Sequence, residues 1–523
     1  MHLKKIDLQI VKRITELEEF SVDFIAEDLQ QHKMTVYRSI QRINDFISKQ
    51  DKTSSDIASC HPETELLNYE QYLQLFNDLT VMNYRHDLNE RSEHLLFTLC
   101  LKKVLNKKKH YEAIKISLSS LKNDSLHLQN IITKYGFSLV THKRKGTQLV
   151  GNETIIRSVI VNQLSKIIQL DEQLNFKIKS TITPLNRVLA EQFIDLCNTL
   201  TINPNQLYLK LREEHDIKLS YNSRKFILLY VSITLLRFHR YQIIAKSEIP
   251  SLIHCQVFTL PTLNKEESLL FSKILACLTY KKGRYLCFNS KLLKLVRQFS
   301  EGIQSRFVTT IINQYEFNTD IYELIESTLI RQQLGIHFID KKLEKVIGIE
   351  QKAYLNIAPY FYLFEDTYAL IFDDNVIATL ILIIKKHTER NKSTDRQRKR
   401  LCFITNSSEN KLGYLFEKLK TLFHVELTEI LDINEISRLK EIQPDAIVCF
   451  THKIEILIKK SGHQPEKLKF NATHTELQNF GKKLQLSRAS RKIPMDIFLK
   501  EIEGKTKDEI KYLLNNQYSS YFI

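Results

Sequence analysis

Between Phe137 and Gly151 the chain reads F-S-L-V-T-H-K-R-K-G-T-Q-L-V-G, with apolar and polar residues alternating on both sides of Lys143, Arg144, Lys145 and Gly146. A period of two around a glycine-bearing turn predicts a β-hairpin with a cationic tip. The Tyr135-Gly136 step just before it is a glycine stop for a helix. Elsewhere glycine (11) and proline (9) are scarce in 523 residues. A chain of that length exceeds one hydrophobic core, so this hairpin is expected inside a mostly α, multidomain protein.

The residues ahead of the hairpin define what it belongs to. Ser117 or Ser119 can cap a helix whose inner face is Leu121, Ser125, Leu128 and Ile132. That leaves Ser119, Ser120, Lys122, Asn123 and His127 to face outward. A helix around Glu93 to Leu105 and a shorter one through Tyr111, Ile114 and Leu118 complete a trio. Three helices followed by a basic hairpin form a winged helix-turn-helix, whose third helix suits a DNA major groove and whose wing suits the flanking backbone.

The same order occurs earlier. Leu3, Ile6, Ile10, Ile14 and Leu17 share a helix face, and Ser21 can cap a second helix bearing Val22, Ile25 and Leu29. A third helix buries Val36, Ile40, Ile43 and Ile47 and presents Lys33, Thr35, Tyr37, Arg38, Gln41 and Arg42. Arginine and glutamine can pair with base edges, while lysine, threonine and tyrosine can hold phosphates. The formal charge of +16 fits a polyanionic partner such as double-stranded DNA.

Eight cysteines lie far apart, without a CxxC pair and mostly in apolar stretches, which predicts buried thiols in a reducing compartment and no zinc site. Met1 to Phe20 lacks the apolar core of a signal peptide. The apolar runs Phe226 to Leu236 and Val376 to Ile384 are too short to span a bilayer. A cytoplasmic protein without membrane contact is expected. After the polar linker Arg390 to Arg400, Leu401 to Ile404, Val425 to Thr428 and Ala446 to Phe450 read as strands. Helices at Leu412 to Leu422 and Ile433 to Lys440 lie between them, which predicts a small parallel sheet.

The stretch Ser117 to Arg157, with its K-G-x-x-x-x-G-x-E-x-x-x-R ending at Lys145, Gly146, Gly151, Glu153 and Arg157, resembles the Mga/AtxA-type virulence regulators and the related BglG/LicR-type regulators. The resemblance implies two N-terminal winged helix-turn-helix units, two all-α PTS regulation domains and a C-terminal α/β domain similar to enzyme IIB of the sugar phosphotransferase system. The expected divisions are 1–88, 89–160, 165–280, 281–390 and 398–523. It also implies a homodimeric transcription activator that responds to carbohydrate status, with phosphotransferase-system phosphocarrier proteins as partners. Candidate phosphohistidines are His215, His239, His254, His337 and His387; the segment around His239 reads R-F-H-R-Y-Q, with Gln242 where the family often has histidine.

Active enzyme IIB domains carry a phosphoacceptor cysteine after the first strand. Here that loop is Thr405, Asn406, Ser407 and Ser408, and Cys402 falls inside the strand. We therefore expect no phosphotransfer, no cofactor, no metal and no enzyme. The other readings are an architectural DNA-binding protein, an RNA-binding antiterminator and a phosphotransferase component.

Overall fold

Helices dominate the structure, as the shortage of glycine and proline predicts, and the only sheet of more than two strands among the described residues lies near the C-terminus. The computed structural model describes residues 2–16, 21–48, 69–200, 204–241, 264–282, 289–304, 311, 313–338, 343, 346–390, 399–484, 486 and 495–517. The chain divides into two units. One is Met1–Gln206 with Leu228–Lys246, and the other is Leu207–Ile227 with Ser247–Ile523.

The first unit opens with α1 (Lys5–Glu16), α2 (Val22–Asp28) and α3 (Lys33–Ser48). Ser21 caps α2, its Oγ accepting from the Phe24 amide at 3.3 Å. Ile10, Ile14, Ile25, Val36, Ile40 and Ile43 bury their side chains in one cluster, the face that the spacing predicts. Residues 49–68 lie outside the description. Helix α4 (Tyr69–Asp78) follows, adding Tyr72, Leu75 and Phe76 to the same core. The described residues of 1–88 therefore hold four helices and no hairpin.

Helix α5 (Leu88–Leu101) begins earlier than the Glu93 expected, because Asp87 and Glu90 form a reciprocal capping box. It also ends earlier. Leu105 is not helical, since its amide and carbonyl both bond to the Thr147 backbone at 2.8 Å. After α6 (Lys107–Ala113), Ser117 caps a single 3-10 turn, Leu118–Ser120, that leads into α7 (Leu121–Thr133). Strands β1 (Ser138–His142) and β2 (Gly146–Val150) then pair antiparallel, with His142 opposite Gly146.

The glycines of this hairpin are fixed by contact. Gly146 has φ +130°, and a Cβ there would lie 2.5 Å from the Leu105 carbonyl oxygen. At Gly151 a Cβ would meet the Phe137 ring, also at 2.5 Å. Helix α8 (Glu153–Ile167) starts two residues later on the Asn152 cap.

The region from 165 onward, expected to be all-α, contains two short antiparallel pairs. Strands β3 (Ile168–Leu170) and β4 (Phe176–Ile178) form one of them. Helix α9 (Pro184–Thr199) follows, with the proline at its first turn and Leu185, Leu189 and Phe193 buried. The chain then forms α10 (Asn205–His215), β5 (Lys218–Leu219), α11 (Tyr221–Tyr241), α12 (Lys265–Ala276) and β6 (Tyr280–Lys282), which pairs with β5. The strands of these pairs are only two or three residues long, too short to mark a period of two in the sequence.

The second unit continues through α13 (Ser290–Gln304), α14 (Gln314–Leu334), α15 (Val346–Ile349), α16 (Gln351–Ile357), α17 (Tyr362–Tyr368) and α18 (Asp374–Arg390). Its sheet then comprises β7 (Lys399–Ile404), β8 (Val425–Leu431), β9 (Ala446–Cys449) and β10 (Pro465–Lys467), all parallel in the order β10-β9-β7-β8. Between the strands run α19 (Glu409–Leu422), α20 (Leu439–Ile442) and α21 (His452–Lys460), and after them α22 (His474–Lys483), α23 (Met495–Ile502) and α24 (Lys507–Gln517). The three expected strands are present. β10 was not expected, because its three residues Pro465, Glu466 and Lys467 carry no strand pattern.

One ionic cluster ties the hairpin region to its surroundings. Glu153 accepts from Arg157 Nε at 2.8 Å and from Arg237 Nε and Nη2 at 2.5 and 2.7 Å, while Arg237 Nη1 donates to the Cys100 carbonyl. Arg157 also reaches Thr234 Oγ1. Removing the carboxylate would leave two buried guanidinium groups facing each other. Glu153→Ala is expected to cost about 3 kcal/mol in urea unfolding, whereas exposed Lys103→Ala should leave stability within about 0.5 kcal/mol.

Candidate nucleic-acid interface

One buried ion pair ties helix α3 to α1 beside their shared apolar core. Asp7 on α1 is fully buried and accepts from Arg42 Nε at 3.1 Å and Nη2 at 2.6 Å; the same Nη2 reaches Ser39 Oγ. Arg42, expected on the DNA-facing side, is instead committed to the interior. An arginine stem is long enough to turn back across its own helix toward a desolvated carboxylate, and that attraction outweighs solvation.

The remaining residues of that face are accessible. Lys33, Arg38 and Gln41 are exposed, Tyr37 is 37% exposed and Thr35 is half-buried. Lys33 pairs with Asp23 at 2.9 Å, and this hydrogen bond raises the lysine pKa. Phe24 and Met34 are also exposed, at 48% and 50%. The sequence reading missed both, because apolar residues off the core stripe look like part of it.

A matching pair holds α7, with the charges exchanged. Arg91 on α5 donates to both oxygens of Asp124 on α7, at 2.8 and 2.9 Å. Tyr111 OH adds a third bond at 2.8 Å, and Ser92 Oγ donates to the Asp124 carbonyl. Asp124 is fully buried. Its burial was invisible in the apolar pattern, which marks hydrophobic positions only.

Of the predicted α7 residues, Lys122 and Asn123 are exposed. His127 is not free: its Nε2 meets Asn89 Oδ1 of α5 at 2.6 Å. Ser119 shares a 2.8 Å hydroxyl bond with Ser117, and Ser120 Oγ donates to the Ser117 carbonyl. Both serines therefore shape the turn entering α7. Leu126, Gln129 and Asn130 extend the exposed face beyond the residues expected.

The hairpin tip is open. Lys143, Arg144 and Lys145 are all exposed, with Arg144 at φ +63°. The Leu105–Thr147 bridge sets the segment Lys102–Lys109 alongside β2, and Lys103, Lys108 and Lys109 are exposed there. These lysines were overlooked because the segment was read as helix end and helix start. Together with the tip they form a cationic surface that strand periodicity alone does not reveal.

The chain matches no family model and no curated protein.

The candidate phosphohistidines separate by environment. His239 on α11 and His337 after α14 are exposed, while the His215 side chain and all of His254 lie outside the described residues. His387 is buried at 2% exposure, and its Nε2 meets Asp320 Oδ2 at 2.7 Å. Lys386 donates to the same carboxylate oxygen. Glu316, Asp320 and His387 bring three metal-capable ligand atoms within 4.8 Å of one another. The Lys386 ammonium, however, already supplies the positive charge that such a group would recruit.

In the C-terminal sheet, Cys402 and Cys449 are fully buried, and burial pushes the Cys449 thiol up to about 12. In the loop after β7, Thr405 Oγ1 accepts from the Ser407 amide and the Asn406 carbonyl accepts from Asn222. At the carboxyl end of β8, buried Asp432 accepts from Arg224 at 2.7 Å. Thr405 and Asn406 of this loop are thus engaged by the protein itself. No helix among the described residues is long and apolar enough to cross a membrane.

Arg42 and Arg38 offer a direct contrast. Arg42→Ala strands the Asp7 carboxylate and should lower urea stability by about 3 kcal/mol. Arg38→Ala should change it by less than about 0.5 kcal/mol. Equal stability of the two variants would contradict the interior role of Arg42.

Proposed function

We propose that the chain is a DNA-binding transcription regulator of the Mga type, acting as an activator and contacting duplex DNA through winged helix-turn-helix units in its first 160 residues. The observation that carries this reading is the second trio. Helix α7 is held from behind by Arg91 and Asp124, presents Lys122 and Asn123 outward, and is followed by a hairpin whose tip is three consecutive exposed cations. A rigidly backed helix of this width fits a B-DNA major groove, while a basic hairpin can reach flanking phosphates.

The helical centre would sense carbohydrate status, and the enzyme IIB-like domain would serve assembly of a homodimer. The loop after β7 carries no cysteine, and its Thr405 hydroxyl and Asn406 carbonyl are bonded internally, which supports assembly over phosphotransfer. A cytoplasmic location accords with the buried thiols of Cys100, Cys197, Cys277, Cys402 and Cys449, none of them in a disulfide. Exposed His239 and His337 are the better placed phosphoacceptors; His387 is held by Asp320.

A second reading is favoured by the abundance of lysine around the hairpin. Lys103, Lys108 and Lys109 add charge and no base-reading geometry, as an architectural DNA-binding protein would require.

Binding to the protein's own upstream DNA and to a shuffled duplex, measured across a salt series, distinguishes the two. We expect preference for the upstream DNA near physiological salt, reduced by Lys122→Ala. Replacing Lys143, Arg144 and Lys145 together by alanine should weaken both complexes and reduce the magnitude of the salt slope by roughly 2 to 3. Equal affinity for both duplexes would favour the architectural reading, and no binding to either would overturn the proposal.

A further inference from the structure

Two imidazoles meet inside the first unit. His94 on α5 and His110 on α6 lie with their Nε2 atoms 3.1 Å apart and their rings nearly parallel, 13° between planes. Both side chains are buried, at 3% and 6% exposure. A contact of that length between two neutral rings is one N–H···N hydrogen bond, with one ring as donor and the other as acceptor. A third ring proton on the pair removes the acceptor and places a charge in the interior.

A third imidazole lies in the segment that leads into α5. His86 is buried at 8% exposure, and neither ring nitrogen has a hydrogen-bond partner among the described residues. Its ring packs edge-on against Tyr84 at 4.8 Å, and its carbonyl accepts from Arg91. The same segment is pinned to the chain start, where the Leu3 amide donates to Asn83 and the Arg85 amide donates to Leu3. Three neutral histidines therefore line the junction where α5, α6 and residues 84–87 converge.

The surroundings are arranged against their protonation. Burial depresses all three, His94 to about 3 and His86 and His110 to about 4; His110 and His86 further lower His94, Arg91 lowers His86, and Lys102 lowers His94 and His110. The carboxylates nearby are already used. Asp124 of α7 is taken by Arg91 and Tyr111, Glu153 of α8 by Arg157 and Arg237, and Glu90 by Tyr84; the Leu185 backbone of α9 favours a proton on His94, but burial outweighs it. Asp87, on the α5 cap, is the one carboxylate that favours a proton on His86.

We propose that His86, His94 and His110 form an acid-sensitive latch, which holds α6 and residues 84–87 on α5 at neutral pH and opens on protonation under mildly acidic conditions. This device does not depend on what the N-terminal unit binds. Each imidazole is harder to protonate when closed than when opened, so the closed form is fully favoured above the ordinary histidine pKa near 6.5 and is lost as pH falls toward 4. If His94 and His110 are both released, the opening constant should rise on the order of a hundredfold between pH 6.5 and pH 5. Arg91 keeps its charge throughout that window, and Glu90, whose pKa burial raises, would favour the closed form on protonation, so the loss of protection belongs to the histidines.

Hydrogen exchange of the full chain, followed by mass spectrometry and corrected for the intrinsic rate, provides the test. Between pH 7.5 and 5, peptides covering 84–133 should lose protection on the order of a thousandfold, while those covering 399–484 serve as the internal reference. The double variant His94→Leu, His110→Leu replaces both partners with apolar groups and should flatten the profile. Flat protection in the unsubstituted protein, or an equally steep loss in the variant, would overturn the latch. Should the variant lack protection already at pH 7.5, the unsubstituted protein labelled with 15N-histidine decides. Three imidazoles that remain neutral until exchange protection falls support the proposal, and titration of every ring near pH 6.5 refutes it.

Discussion

Taking a carboxylate out of water costs several kcal/mol unless a cation and hydrogen-bond donors meet it, and this requirement fixes how neighbouring helices meet within each of the two units. Asp7 meets Arg42, Asp124 meets Arg91, and Glu153 meets Arg157 and Arg237. In the second unit Asp432 meets Arg224, and Asp320 meets Lys386 and His387. Apart from the Arg157 pair within α8, each joins residues far apart in sequence. Apolar packing tolerates a helix that slides by part of a turn, but a bidentate guanidinium contact does not. The ion pairs thus add register to cores that hydrophobic burial assembles.

The hairpin shows the same division of labour. Alternation between Phe137 and Gly151 accounts for its two strands, but its placement depends on a backbone bridge to Leu105 and on two glycines with no room for a side chain. The K-G-x-x-x-x-G-x-E-x-x-x-R pattern thereby acquires a physical meaning. Gly146 lets the backbone approach Leu105, Gly151 lies on the Phe137 ring, and Glu153 and Arg157 anchor the exit helix. Only Lys145 among these points into solvent.

Much of this architecture was readable from spacing. The core faces of α1 and α3, the hairpin and three parallel strands follow from periodicity, because buried apolar residues repeat at intervals the backbone dictates. The interface was less readable. Periodicity divides residues into buried and exposed, and it assigns every charged side chain to the outside. That placed Arg42 in the groove-facing set, although its guanidinium serves Asp7, and it left His127 available when Asn89 already binds it. Short β10 and the β5–β6 pair escaped for a different reason: their pairing partners lie distant in sequence, and three residues carry too little pattern to signal them.

The two N-terminal trios carry their central ion pair with opposite polarity. The acid is on the first helix and the base on the third in one trio, and the reverse holds in the other. Tandem units built on similar helix patterns can exchange partners as they fold. Here such an exchange is self-defeating. Docking α7 against α1 would bury Asp124 beside Asp7, and docking α3 against α5 would bury Arg42 beside Arg91. Each wrong assembly places like charges together out of water, while each correct one neutralises them. The reversed polarity thus disfavours exchange of the third helices between the two trios.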